Sequence, residues 1–170
     1  SVKARLNEPV PGGAFGATPL IVAVQQANHE MVDVLLAAGA NINQRSHWWA
    51  GGFHVLEDDH GLADFLIARG ASFDAKSAAQ LGRMDDLAAL VAVNPQSVHM
   101  RAGDGQTPLH VAPTVAIAEF LLRQGAEIDA RDVDHESTPA QYLVRSHPEV
   151  TRFLVERGAH DRWSDTRGAA

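Results

Sequence analysis

Thr18-Pro19-Leu20 returns as Thr107-Pro108-Leu109 and, altered, as Thr138-Pro139-Ala140. Each is followed about twenty positions later by a Gly-Ala pair: Gly39-Ala40, Gly125-Ala126 and Gly158-Ala159. A chain woven around a single core has no reason to reuse its punctuation in this way. A chain built from one small unit used several times does. Gly39 to Gly70 is 70 − 39 = 31 residues, and Gly125 to Gly158 is 158 − 125 = 33.

Each unit reads as two short helices. Thr18 is placed to cap a helix through its hydroxyl, and Pro19 sits at the first helical position, where its missing N–H costs little. Leu20 to Val24 is too apolar to face water, and Gln25 to Glu30 reads as a polar turn. A second helix from about Met31 carries Met31, Val32, Leu35 and Leu36 on one face. Gly39 stops it in the left-handed conformation that glycine accepts. An extended piece with one apolar residue follows: Ile42, then Phe73 and Ile128 in later copies.

Two helices, a finger-like turn and an opening threonine-proline-leucine resemble the ankyrin repeat family, and Thr107-Pro108-Leu109-His110 matches its tetrapeptide in full. The resemblance implies an all-α solenoid of helix-turn-helix units with hairpin-like fingers. It also implies that His110 hydrogen-bonds within and between repeats. The expected layout is one domain over 1–170, with repeats near 5–38, 39–69, 70–94, 95–124 and 125–157, and an exit or cap at 158–170. Val2-Lys3-Ala4-Arg5 looks like such an exit, which suggests an excerpt of a longer array. Asp161, where an apolar residue is expected, suggests that the stack ends there.

Two copies depart from the pattern. In the second, Gly51-Gly52-Phe53-His54 stands where the tetrapeptide belongs and the helix cap is lost, although Leu62 to Ile67 still reads as a helix. The third lacks both signatures, and Asn94-Pro95 breaks its second helix.

The net charge of −7 argues against a nucleic-acid or acidic-membrane partner. No apolar run approaches a membrane span. Cysteine is absent, which excludes disulfides and thiolate sites and suits a reducing, cytoplasmic setting. No nucleophile elbow or phosphate-cradling loop appears, so neither enzyme activity nor a cofactor is expected. His47, His54 and His60 lie near Glu57, Asp58 and Asp59. They have the residue types of a metal site, or of a small-molecule site at the irregular second repeat, without metal-ligand spacing, so no metal is expected. Arg5, Arg45, Lys76, Arg101 and Arg131 fall at equivalent positions. They form either a basic stripe for an anionic partner or, more simply, charges neutralised by neighbouring acids.

Function is sought where copies differ. Trp48 and Trp49 stand together just before the degenerate second repeat, and the first finger, Asn7 to Phe15, is enlarged and rich in proline and glycine. Large aromatics either anchor interfaces or cover a core. Phe15, Arg45, His47, Trp48, Trp49 and Phe53 are expected at one end of a concave binding face, with Asp104, Asp134, His135 and Glu136 making the other end acidic. The expected partner is a protein bound by a monomer, with an apolar anchor and a basic tail. A spacer or docking domain of a larger protein is the alternative.

Overall fold

The computed structural model describes residues 5–57 and 61–160, so Val2-Lys3-Ala4, Asp58, Asp59, His60 and Asp161 lie outside the described residues. Eight described α-helices follow one another: α1 (Pro19–Gln25), α2 (His29–Ala37), α3 (Ala63–Ile67), α4 (Ala75–Gln80), α5 (Met84–Val93), α6 (Val115–Arg123), α7 (Pro139–Leu143) and α8 (Pro148–Val155). A 3₁₀ turn at Ala14–Gly16 precedes α1, and two more, at Pro95–His99 and Pro108–Val111, lie between α5 and α6. Among the described residues no strand forms, only isolated bridges, so the chain is an all-helical solenoid.

The recurring sequence marks are hydrogen-bond devices. The Thr18 hydroxyl oxygen accepts from Ile21 N–H at 3.4 Å, and Thr138 and Gln141 cap each other reciprocally at 3.3 and 2.9 Å. The Gly-Ala pair closes α2, α3, α6 and α8 identically. In the first, Gly39 N–H donates to Leu36 O and Ala40 N–H to Leu35 O, both at 3.0 Å. Gly39, Gly70, Gly125 and Gly158 all hold φ between 93° and 99°, the left-handed end that satisfies the last carbonyls of a helix.

Two helices fall short of the pattern. In the fourth unit the tetrapeptide yields only the Pro108–Val111 turn, because Pro113 forces Ala112 into an extended conformation (φ −67°, ψ 112°). In the second unit, Val55 and Leu56 fill the core from a turn at 1% and 0% exposure.

The apolar interior is in two parts. One cluster joins Leu20, Val24, Val32, Leu56 and Leu66 from the first two units. The other joins Leu87, Leu109, Leu121, Leu143 and Leu154 from the last three, and Phe73 packs against both. The seam between them is polar. Lys76 Nζ meets Glu57 Oε2 at 2.6 Å, and Arg45 meets Glu57 Oε1 at 2.6 Å and also pairs with Asp74. The Lys76 and Glu57 side chains are 2% and 1% exposed. A groove of about 790 Å³ lined by Phe73, Leu90, Val93 and Met100 opens along the third unit.

The third unit has no finger. Phe73 is followed at once by Asp74, which caps α4 in a box with Ser77 (2.8 and 3.0 Å). The fingers of the second and fourth units therefore lie side by side, joined by Gly103 N–H to Gly52 O at 2.8 Å. Gly103 (φ 59°) cannot be replaced freely, because a Cβ there would sit 3.1 Å from the Phe53 ring and 3.3 Å from Lys76 Nζ.

Candidate functional site

Four fingers make a continuous row. Each is closed at its base by a backbone bond: Val10 to Ala17, Ser46 to Phe53, Ala102 to Gln106 and Asp132 to Ser137. Neighbours are then tied tip to tip. His47 N–H donates to Gly16 O at 2.9 Å, and Val133 and Asp134 N–H donate to Asp104 O at 3.0 and 3.2 Å. Gly16 (φ 62°) has His47 backbone 2.8 Å from where a Cβ would stand, so only glycine permits this approach.

The row carries an aromatic cluster. Phe15 meets Trp48 edge-on at 5.0 Å and Phe53 at 5.4 Å, and Trp48 lies 5.8 Å from Trp49. Such edge contacts contribute roughly 0.5–1.5 kcal/mol each beyond the area they bury. The cluster is not a core. Trp49 is 66% and Phe15 46% exposed, while Trp48 and Phe53 are half-buried beneath them. The two tryptophans differ accordingly: Trp48 holds the cluster together and Trp49 faces outward.

The expected separation into an aromatic end and an acidic end is wrong. Trp48 Nε1 donates to Asp104 Oδ1 at 3.1 Å, so the acidic group abuts the aromatic one. The absent third finger is the cause, since it lets the fourth finger reach the second. Ligand atoms of Asp104, Asp134 and His135 lie within 4.8 Å of one another, and Glu136 follows on the same exposed turn. Burial, and repulsion from Asp134 and Asp132, push the Asp104 carboxyl above the ordinary carboxylate range against the pull of the Trp48 indole N–H.

Two site residues hold left-handed backbone without being glycine: Phe15 at φ 54° and Glu136 at φ 55°. Each costs on the order of 1–2 kcal/mol relative to glycine. Both stand on the finger row. Nothing in the sequence marked Glu136 as strained, although family-like fingers place glycine near there, as at Gly105.

Four of the five basic positions are engaged within the chain, although Arg101 and Arg131 remain exposed. Arg45 is engaged by Glu57, Asp74 and Gly52 O, and Lys76 by Glu57. Arg101 donates to Gly105 O at 2.7 Å and to Arg131 O at 2.5 Å, and Arg131 donates to Glu136 O at 3.3 Å. Arg101 and Arg131 brace the fingers from the solvent side, whereas Arg45 and Lys76 are engaged further in. Arg45 therefore supports the cluster from beneath, and His47 is exposed beside it.

Of the histidine-rich stretch, Asp58, Asp59 and His60 lie outside the described residues, and His47, His54 and Glu57 do not gather into one ligand group. His54 is buried, its Nδ1 accepting from Leu56 N–H and its Nε2 facing Asn43, and burial lowers its pKa. Both Glu57 oxygens are taken by cations.

His110 is fully buried. Its Nδ1 accepts from Thr107 N–H at 3.1 Å, and its Nε2 donates to Ser137 O of the next unit at 3.0 Å. That is the bond within and between repeats that the tetrapeptide implied. The ankyrin repeat model matches residues 15–47 and 104–133, the units with the most regular sequence. This chain carries ankyrin repeats. Among curated ankyrin proteins, one from fowlpox virus is 30% identical over 128 residues, covering 71% of this chain and 30% of that protein. A second fowlpox ankyrin repeat protein is 25% identical over 142 residues, covering 75% of this chain and 74% of that protein. Protein fem-1 homolog A of Danio rerio is 31% identical over 87 residues, covering 42% of this chain and 13% of that protein. This ankyrin chain thus spans less than a third of the length of the first and third of these relatives. A chain in the solved complex of a predatory endopeptidase from Bdellovibrio bacteriovorus with an immunity protein aligns at TM-score 0.46 and 22% identity, covering 89% of this chain and 85% of that one. Ankyrin repeats generally mediate protein–protein interaction. No described helix is long and apolar enough to cross a membrane.

Proposed function

We propose that this ankyrin array is a non-catalytic recognition module that binds a protein partner on the finger row, at Phe15, Trp48, Trp49, Asp104, Asp134, His135 and Glu136. The observation that carries the reading is a large, exposed indole held on a preformed aromatic base: Trp49 at 66% exposure, against Trp48. Water-facing tryptophan is costly in apolar area and low in conformational entropy, which suits an anchor. Two of the three described left-handed non-glycine positions, Phe15 and Glu136, stand on the same finger row, where such strain is often kept for a use. A reducing, cytoplasmic setting fits the absence of cysteine.

Trp49→Ala is expected to change stability by less than about 1 kcal/mol, because the side chain is mostly solvated. Trp48→Ala loses ring contacts and the Asp104 bond, and should cost about 1–3 kcal/mol. Urea unfolding of each variant, beside proximity labelling from the source cell with wild-type and Trp49→Ala baits, tests the proposal. Proteins labelled by the wild type and lost with Trp49→Ala support it. An identical labelled set from both baits sinks it.

A further inference from the structure

We infer that the partner docks on this row with a basic side chain, an arginine above all, seated against the Trp48 and Trp49 rings and on the Asp104 and Asp134 carboxylates. This inference rests on the interaction reading above and names the chemistry of its partner.

The argument begins with how this chain treats its other rings. Arg69 lies 3.3 Å over the Phe65 ring, Arg157 lies 3.6 Å over Phe153 and Arg83 lies 5.3 Å over Phe73. Three of the five described aromatic rings outside the cluster are thus covered by the chain's own guanidinium groups, Phe120 and Tyr142 being the exceptions. Among the described residues, none stands over Phe15, Trp48 or Trp49, although tryptophan is the strongest partner for a cation.

The carboxylates have the same deficit. Asp33, Glu57, Asp74 and Asp86 each pair with an arginine or lysine. Among the described residues no arginine or lysine forms an ion pair with Asp104, Asp134 or Glu136; Asp134 has only His135 Nε2 at 3.7 Å. The nearby cations are committed elsewhere: Arg45 and Lys76 to the seam, Arg101 and Arg131 to finger carbonyls. Burial, and repulsion from Asp134 and Asp132, raise the Asp104 pKa, and an incoming positive charge would counter the repulsion.

The two deficits are contiguous, because Trp48 donates its indole N–H to Asp104 at 3.1 Å. Trp48 takes only one Asp104 oxygen, so Oδ2 is available to an incoming donor. A guanidinium is planar, stacks on an indole and forks to carboxylates, so it can use both surfaces at once. The net charge of −7 draws such a segment in from a distance.

The test is panning of a random dodecapeptide display library on the chain, repeated on Trp49→Ala and on Asp104→Asn/Asp134→Asn/Glu136→Gln, each checked for unchanged circular dichroism. Expected is a set of peptides that require Trp49 and carry an arginine or lysine beside an apolar residue. Replacing the selected arginine by citrulline should weaken binding at least tenfold, and the triple variant should show the same loss. Trp49-dependent peptides without a basic residue would overturn this inference and leave the interaction reading standing. Failure to select any Trp49-dependent peptide would overturn both. Ca²⁺, Mn²⁺ and Zn²⁺ titrated singly, with tryptophan emission as readout, supply the last arm. Micromolar saturation that displaces the peptide would reassign the carboxylates to a metal ion and overturn the inference.

Discussion

Glu57→Ala is expected to lower unfolding free energy by about 3–5 kcal/mol, the range for breaking a buried ion pair by removing one partner. The substitution strands the Lys76 ammonium at 2% exposure and removes one of the two carboxylates that hold Arg45. It also removes the acceptor of His54 N–H at 3.2 Å. The loss falls on the seam between the two apolar clusters, so a second effect is expected. Wild-type chain should unfold in one transition, whereas in Glu57→Ala the first two units and the last three should separate. Urea melts followed by tryptophan emission and by far-ultraviolet circular dichroism should then no longer coincide. The pair Glu57→Leu/Lys76→Met, which removes both charges, should recover most of the loss, because well-packed apolar residues often replace such a pair at little cost. A Glu57→Ala cost below about 1 kcal/mol would show that the seam is not electrostatically held.

Acidification from pH 7.5 to 5.0 is expected to remove about 2 kcal/mol of stability through His110 alone. Burial pushes this imidazole from 6.5 down to about 4. The folded chain therefore binds fewer protons than the unfolded chain between those values. Stability is complete above about 6.5 and falls as pH drops toward 4, since the unfolded state takes up the proton that the folded state refuses. His54, lowered in the same direction by burial, steepens the slope. Asp104, raised by burial, acts in the opposite sense, from the ordinary carboxylate range upward, and so offsets part of the slope at its acidic end. Chemical denaturation at pH 7.5, 6.0 and 5.0 measures the slope, and His110→Asn should flatten most of it while lowering stability at every pH. A slope unchanged by that substitution would mean that another group carries it.

The scaffold was legible because its marks are local. Thr18-Pro19 and Gly39-Ala40 act over three to five residues of chain, and the bonds they make follow from residue identity alone. The aromatic cluster was legible too, because Trp48-Trp49 interrupt a stretch that should be short and polar. Its junction with Asp104 was not, because it depends on what the third unit lacks. The signal was nevertheless present. From Val98 to Thr107 is 107 − 98 = 9 positions, whereas from Phe73 to the capping Asp74 is 74 − 73 = 1. Eight residues too few leave no room for a finger. The burial of Lys76 was hidden for a related reason: its place in the repeat frame is that of an exposed arginine, but without a finger it falls inside a helix against Glu57.

In this array, which surfaces are neighbours is set by the length of one connection. Eight residues inserted between Phe73 and Asp74 would leave each unit's own contacts intact, yet would wedge a new finger between Gly52 and Gly103 and part the indole from its carboxylate. Recognition here is therefore exposed to insertion and deletion more than to point substitution. Two arrays with nearly the same residues could part company in what they bind through a single change in loop length.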